Sequence, residues 1–291
     1  PPQGWDVSFH DDAIRATDFD TDADLIALTA MTAQATRAYQ LADAFRSRGK
    51  TVVMGGFHAS NLPDEALQHV DSVVVGEGEL AWPQLLADFQ TGRLQQLYRA
   101  DGLIDTVLIP PARREIFKGS GHLFTNTIQT TRGCPFDCEF CSVTAFYGRK
   151  YRKRSVEQVL AELQELRKAN SFVFFVDDNI VADRRYSLPL FDGMKGMGLK
   201  WLSHAPIDFA EDQELLKAAG ESGCVGMFVG FESLNQDSLA AMGKVTNKAA
   251  SYKAYAQQFR DHGIGILGSF VMGCDGDTPA VFEQTLRFCE D

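Results

Sequence analysis

No apolar run in this 291-residue chain reaches the roughly 20 residues that span a bilayer. The opening PPQGWDVSFHDD also lacks the cationic and apolar regions of a signal peptide, so the chain reads as cytoplasmic. Basic residues are scarce: 28 Lys and Arg against 39 Asp and Glu leave a formal net charge of −11. That balance argues against nucleic acid as a partner, because a phosphate backbone must meet a cationic face. There are six cysteines, three clustered and three scattered, which is no disulfide framework of a small secreted domain. No G-x-G-x-x-G follows a first strand, which removes the usual nicotinamide fingerprint.

What is present divides into two halves, and the length favours two cores. From Trp5 to Gly78, WDVSFHD, DLIALTA, TVVMGG and SVVVGEG are Val/Ile/Leu-rich runs separated by helical patterns, the rhythm of a parallel sheet covered on both faces. Ala38, Leu41, Ala42 and Phe45 fall at i, i+3, i+4 and i+7 and predict a crossover helix stopped by Gly49. Leu85, Leu86 and Phe89 predict another, ending at Gly92. Periodicity is lost around Pro110-Pro111, which sets the domain boundary: residues 1–110, then 111–291.

The second half restarts with TNTIQTTRG, SFVFFVDDN, KWLSHAPI, VGMFVGFES and GILGSFVMG. These five strand candidates alternate with helical segments and predict a barrel or open barrel. Ser155 and Gln158 form a capping box for a helix whose buried face is Val156, Val159, Leu160, Leu163 and Leu166. In such folds ligands sit beyond the carboxyl ends of the strands, where Cys134, Asp177, His204 and Glu232 should face one cavity.

Cys134, Cys138 and Cys141 are spaced C-x3-C-x2-C, with Phe140 before the last thiol. A structural zinc site wants a fourth Cys or His, and none follows in the loop. Four-iron clusters usually take four thiolates, so three leave one iron open to an exogenous ligand. Cys224, Cys274 and Cys289 sit singly in apolar surroundings, as core cysteines do.

The spacing resembles the signature of the radical S-adenosylmethionine (SAM) enzymes. The resemblance implies a 4Fe-4S cluster whose open iron is chelated by SAM, which is cleaved to a 5′-deoxyadenosyl radical. It implies cofactor-binding roles along the strand ends. Asp177 or Asp178 of VDDN would receive the methionine ammonium, the alternative being a helix N-cap. Glu232 and Ser233 of GFES would hold the ribose or methionine group, with Asn235 the better local cap. Gly268 in GILGSFVMG would let backbone approach adenine. The cations of GRKYRKR are either a solvated face or, through Arg149, Arg152 or Arg154, an anion site. His204 is either a proton relay or substrate contact, or structural.

The first half resembles the cobalamin-binding domain fused to many radical enzymes, although it has no D-x-H-x-x-G histidine for cobalt. Thr29 ahead of Gly55-Gly56, then Gly76, would accommodate cobalamin. His58 would approach the corrin or its tail, or merely bond a turn. The fold implied is a flavodoxin-like (Rossmann-like) α/β cobalamin-binding domain followed by a partial β/α radical SAM barrel, with the first strand and the C-terminal end expected to be missing from this chain.

The function implied is a cobalamin-dependent radical SAM C-methyltransferase acting on a small-molecule or lipid substrate and drawing electrons from a donor such as flavodoxin or ferredoxin. The alternatives are an anaerobic radical cyclase or ring-rearranging enzyme of the same branch, a non-catalytic iron–sulfur or zinc module, and an RNA-modifying enzyme, which the acidic balance disfavours.

Overall fold

The structure, a computed structural model, describes residues 4–117 and 126–290. The chain divides into two compact units, Pro1–Leu123 and Phe124–Asp291.

The first unit contains β1 (Leu25–Thr29), α1 (Ala35–Arg46), β2 (Thr51–Gly55), α2 (Phe57–Asn61), α3 (Pro63–Ala66), β3 (Ser72–Val75), α4 (Gly78–Gln90) and β4 (Leu97–Arg99). The four strands are parallel in the order β1-β2-β3-β4. Alternation along the strands sends side chains to two cores. Val52, Met54 and Val73 pack with Ala38, Tyr39, Ala42 and Phe45 of α1 on one face. Val53 and Val74 pack with Ala81, Leu85 and Leu86 of α4 on the other. Burial on both faces explains why these strands read as unbroken apolar runs.

Two expectations fail here. WDVSFHD forms no strand: it alternates polar and apolar residues as an edge strand would, yet among the described residues no strand pairs with it. A short strand, LYR at β4, was hidden in a polar stretch.

The second unit contains β5 (Thr127–Ile128), β6 (Thr131–Arg132), α5 (Ser142–Tyr147), β7 (Arg152–Lys153), α6 (Val156–Leu166), β8 (Phe172–Phe175), α7 (Arg184–Met194), β9 (Lys200–Pro206), α8 (Gln213–Glu221), β10 (Cys224–Glu232), α9 (Gln236–Ala241), α10 (Tyr252–Asp261), β11 (Gly265–Phe270) and α11 (Ala280–Glu290). All five long-range strands form one parallel sheet in the order β11-β10-β9-β8-β5, as the five runs predicted. Thr125, which opens the run TNTIQTTRG, lies outside the described residues.

One face of this sheet is sealed by helices. Val173, Phe175, Trp201 and Ala205 pack with Val159 and Leu163 of α6, Leu190 and Phe191 of α7, and Leu215 and Leu216 of α8. Ser155 caps α6 by accepting from the Gln158 N–H at 3.2 Å. On the opposite face Phe174, Leu202, His204 and Phe228 are partly buried.

Candidate active site

The cysteine loop is closed at its base by a two-strand antiparallel ribbon, in which Thr131 pairs with Lys153 and Arg132 with Arg152. GRKYRKR therefore supplies, through Arg152 and Lys153, the return strand of that ribbon. Its arginines have partners within the protein. Arg154 donates to Glu162 at 2.7 Å, both side chains buried, and to the Gln129 carbonyl at 3.2 Å. Arg152 is buried and reaches the Tyr147 carbonyl at 3.4 Å. Arg149 meets Asp137 at 3.3 Å on the surface. The sequence showed the charges but not the pairing that buries them.

Gly133 opens the loop with φ 83°. A Cβ there would meet the Lys150 carbonyl at 2.6 Å and that of Gly148 at 3.0 Å, so only glycine lets the chain turn this tightly. All three cysteines are partly buried and unpaired. Burial pushes the Cys134 and Cys138 thiols up; the Asn179 side chain opposes this at Cys134, and the Lys244 ammonium opposes it at Cys138. Among the described residues no three His, Cys, Asp or Glu side chains converge on the point one metal ion would occupy. In a four-iron cluster each thiolate binds its own iron, so the cysteines need not converge.

The two aspartates after β8 divide in role. Asp177 is fully buried, and its carboxylate accepts from the Thr130 N–H and hydroxyl, the latter at 2.8 Å, and from the Thr131 hydroxyl. Burial raises its pKa to about 6. It thus anchors the base of the loop, while the N-cap of α7 is Asp183. Asp178 is held by the Gly133 amide, burial again raises its pKa, and its Oδ2 is buried with no partner among the described residues. An unsatisfied buried carboxylate oxygen is costly, and a bound cationic group would satisfy it.

Glu232 ends β10 with φ 63°, the one positive value for a non-glycine among the described residues. Its carboxylate sits 2.9 Å from Lys244 Nζ, and that ammonium lies 5.8 Å from the centroid of the half-exposed Phe140 ring. Asn235 caps α9, which leaves Glu232 free of that duty. Ser233 is buried, and its Oγ accepts from the Asn235 N–H at 3.0 Å. The turn after α9 leans on the cysteine loop: Glu139 N–H donates to the Met242 carbonyl at 3.2 Å, and a Cβ at Gly243 would meet the Asp137 carbonyl at 3.0 Å. Gly268 on β11 lies against Phe231, whose ring a Cβ would strike at 2.7 Å.

Sequence reading missed Lys244, Asn179 and Asn247. Asn247 is buried and donates to the Gly230 and Phe231 carbonyls at 3.0 and 3.2 Å, fixing the end of β10. Nothing in MGKVTNK marks Lys244 or Asn247 as inward-facing, and in VDDN the resemblance assigns roles only to the two aspartates.

In the first unit the candidate residues lie at the strand ends. Gly56, at φ 92°, lies so close to Thr29 that a Cβ would stand 2.5 Å from its Oγ1. Gly55 is backed by Val74, and Gly76 takes φ 84°. His58 is buried and bonds Tyr39 Oη at 2.8 Å, Thr32 Oγ1 at 3.3 Å and Glu65 at 3.3 Å. Those residues line a cavity of about 580 Å³ beside α1.

Residues 128–289 match the model of the radical SAM superfamily. The chain belongs to that superfamily. Residues 3–86 match the B12 binding domain. Two curated relatives come from Chlorobaculum tepidum. Bacteriochlorophyllide d C-12(1)-methyltransferase is 34% identical over 295 residues, 98% of this chain and 64% of the relative. Bacteriochlorophyllide d C-8(2)-methyltransferase is 32% identical over 311 residues, 99% and 67% respectively. The chain thus spans about two thirds of their length. The cobalamin-dependent SAM radical enzyme OxsB, solved with aqua-cobalamin bound, superposes with a TM-score of 0.75 at 18% identity, covering 94% of this chain and 44% of that one; this likeness is one of fold. Membership brings a 4Fe-4S cluster and SAM as cofactors, with cobalamin as the group of the first domain. The residues present fit them: three thiols on a loop, a buried carboxylate oxygen without a partner beside it, and a glycine cradle at the strand ends of the first unit. No helix among the described residues is long and apolar enough to cross a membrane.

Proposed function

We propose that the protein is a cobalamin-dependent radical SAM methyltransferase that places a methyl group on an unactivated carbon of a small-molecule or lipid substrate. The observation that carries this reading is the pairing, in one chain, of the three-cysteine loop with the Thr29–Gly56 cradle. When bound, the cluster and SAM supply a carbon-centred radical, and cobalamin supplies the methyl group.

The protein's own part is to bind and orient. Cys134, Cys138 and Cys141 hold the cluster on the ribbon-closed loop, and Asp177 beneath it fixes Thr130 and Thr131. The unpartnered oxygen of Asp178 accepts from the methionine ammonium. Glu232 and Ser233 hold the ribose or methionine end, Gly268 gives adenine room against the backbone, and Phe140 flanks the last thiol. Thr29, Gly55, Gly56, Gly76 and His58 surround cobalamin. Electrons come from a flavodoxin or ferredoxin in the cytoplasm.

The test follows SAM during turnover of the reconstituted protein with reductant, cobalamin and a candidate-substrate extract. Methyl transfer consumes SAM in two ways, so S-adenosylhomocysteine and 5′-deoxyadenosine accumulate together in about equal amounts, and S-methyl label enters the product. Deoxyadenosine alone, with no transferred label, would overturn methyl transfer in favour of cyclisation or rearrangement.

A further inference from the structure

The sheet face of the second unit opposite the helices carries an apolar stretch around one imidazole, with Thr127, the register partner of Phe174, and Ser269, two residues beyond Leu267, on the same face toward its edges. Along β9, Trp201 and Ala205 turn into the helix-covered core, and Ser203 lies on the same side, donating to the Phe175 carbonyl at 3.0 Å. Strand alternation therefore puts Leu202 and His204 on the opposite face. His204 is half-buried there between two rings, with centroids 5.6 Å from Phe174 of β8 and 5.0 Å from Phe228 of β10. Phe228 is its register partner on β10, and the exposed Leu267 of β11 is in turn the partner of Phe228.

The hydrogen bonding of His204 fixes its chemistry. Nδ1 lies 3.1 Å from the Asp177 carbonyl, and a carbonyl only accepts, so Nδ1 carries the hydrogen. In the neutral ring Nε2 is then a bare acceptor. Among the described residues nothing in the protein donates to it. Burial between the rings lowers the imidazole's pKa, against the opposing effect of the Asp177 carbonyl. His204 is also tied to the loop beneath the cysteines, because Ile180 N–H donates to its carbonyl at 3.1 Å and Asn179, one residue earlier, contacts Cys134.

We propose that His204 Nε2 is a positioning acceptor for the substrate, and that the substrate class is a bulky, largely apolar molecule presenting one N–H or O–H donor to it. The inference rests on the reading of this face as the reaction chamber. Phe174, Leu202, Phe228 and Leu267 supply the apolar wall, and the acceptor set among them fixes which way round the molecule lies. A neutral acceptor in an apolar wall discriminates by its unmet hydrogen bond, since a ligand without the donor leaves it unpaired.

The test uses two apolar probes of one shape, 4-phenylphenol and biphenyl, on the cluster-reconstituted, ¹⁵N-histidine-labelled protein with SAM. The phenol should bind about three- to tenfold more tightly and shift the His204 Nε2 resonance in two-bond ¹H–¹⁵N spectra that show Nδ1 protonated. In His204→Phe, which keeps the aromatic stack, the preference should vanish. In His204→Gln, which restores an acceptor, part of it should return. Equal affinity for the two probes, an unmoved Nε2 resonance, or a preference retained in His204→Phe would overturn the assignment. Neither probe needs to be methylated, so failure of the turnover assay and failure of this one are separate results.

Discussion

Glu232 and Lys244 form a 2.9 Å ion pair with both side chains largely buried, and Glu232 does so from a left-handed backbone. The pair stands at the end of β10, with the ammonium facing Phe140 of the cysteine loop. Glu232→Ala should retain iron but weaken SAM binding about tenfold or more, since a charge-assisted hydrogen bond is worth about 1.5–3 kcal/mol. Calorimetric titration of the reconstituted variant reads this directly, and unchanged affinity would leave Glu232 as no more than the partner of Lys244. Glu232→Gly should be more stable than Glu232→Ala by about 1 kcal/mol, because only glycine takes a positive φ without strain.

Iron content separates the clustered from the solitary cysteines. Alanine at Cys134, Cys138 or Cys141 should abolish the roughly four irons per chain loaded by anaerobic reconstitution. Cys224→Ala should not, because that thiol is buried in the helix-covered core. Stoichiometric zinc with no capacity for iron would sink the cluster assignment.

Gly56→Ala should remove cobalamin binding. The new methyl would stand 2.5 Å from Thr29 Oγ1 on a backbone at φ 92°, so the cradle must open or the strand end distort. The absorption of bound hydroxocobalamin after gel filtration is the readout, and a variant that retains full colour would refute the cradle.

Asp177 gives stability a pH dependence of definite sign. Burial raises its native pKa from 3.8 to about 6, so the folded chain holds its proton more tightly than the unfolded one. Its contribution is therefore fully present below about pH 4 and is lost as pH rises through about 6, by on the order of 2–3 kcal/mol. Asp177→Asn has no such titration, so its stability relative to the parent protein should improve between pH 4 and 6.5. Denaturant unfolding at four pH values tests this, and parallel stability curves for the two proteins would contradict it.

Much of this architecture was legible because burial leaves a pattern. The runs TVVMGG, SVVV and VGMFVGFE are sheet interiors, and the spacing of Ala38, Leu41, Ala42 and Phe45 is a helix face. The cysteine spacing and GFES marked the loop and the end of β10. What stayed hidden depends on long-range partners. Arg154 looks like one cation among five until Glu162 is placed beside it. Asp177 and Asp178 are adjacent in sequence and chemically alike, and only the position of Thr130, Thr131 and Gly133 makes one an anchor and the other an unpaired acceptor. WDVSFHD has the composition of a strand, but among the described residues no strand is in register with it.

The ribbon of Thr131–Arg132 with Arg152–Lys153 has a bearing on how the metal centre is built. Because protein hydrogen bonds already hold the ends of segment 133–151 together, the entropy of closing that loop is met when the polypeptide folds and does not await iron. Cluster insertion then orders only the loop's interior, so the metal-free protein should unfold with the same cooperativity as the loaded one, and oxygen damage to the cluster should leave a protein that can be refilled without refolding.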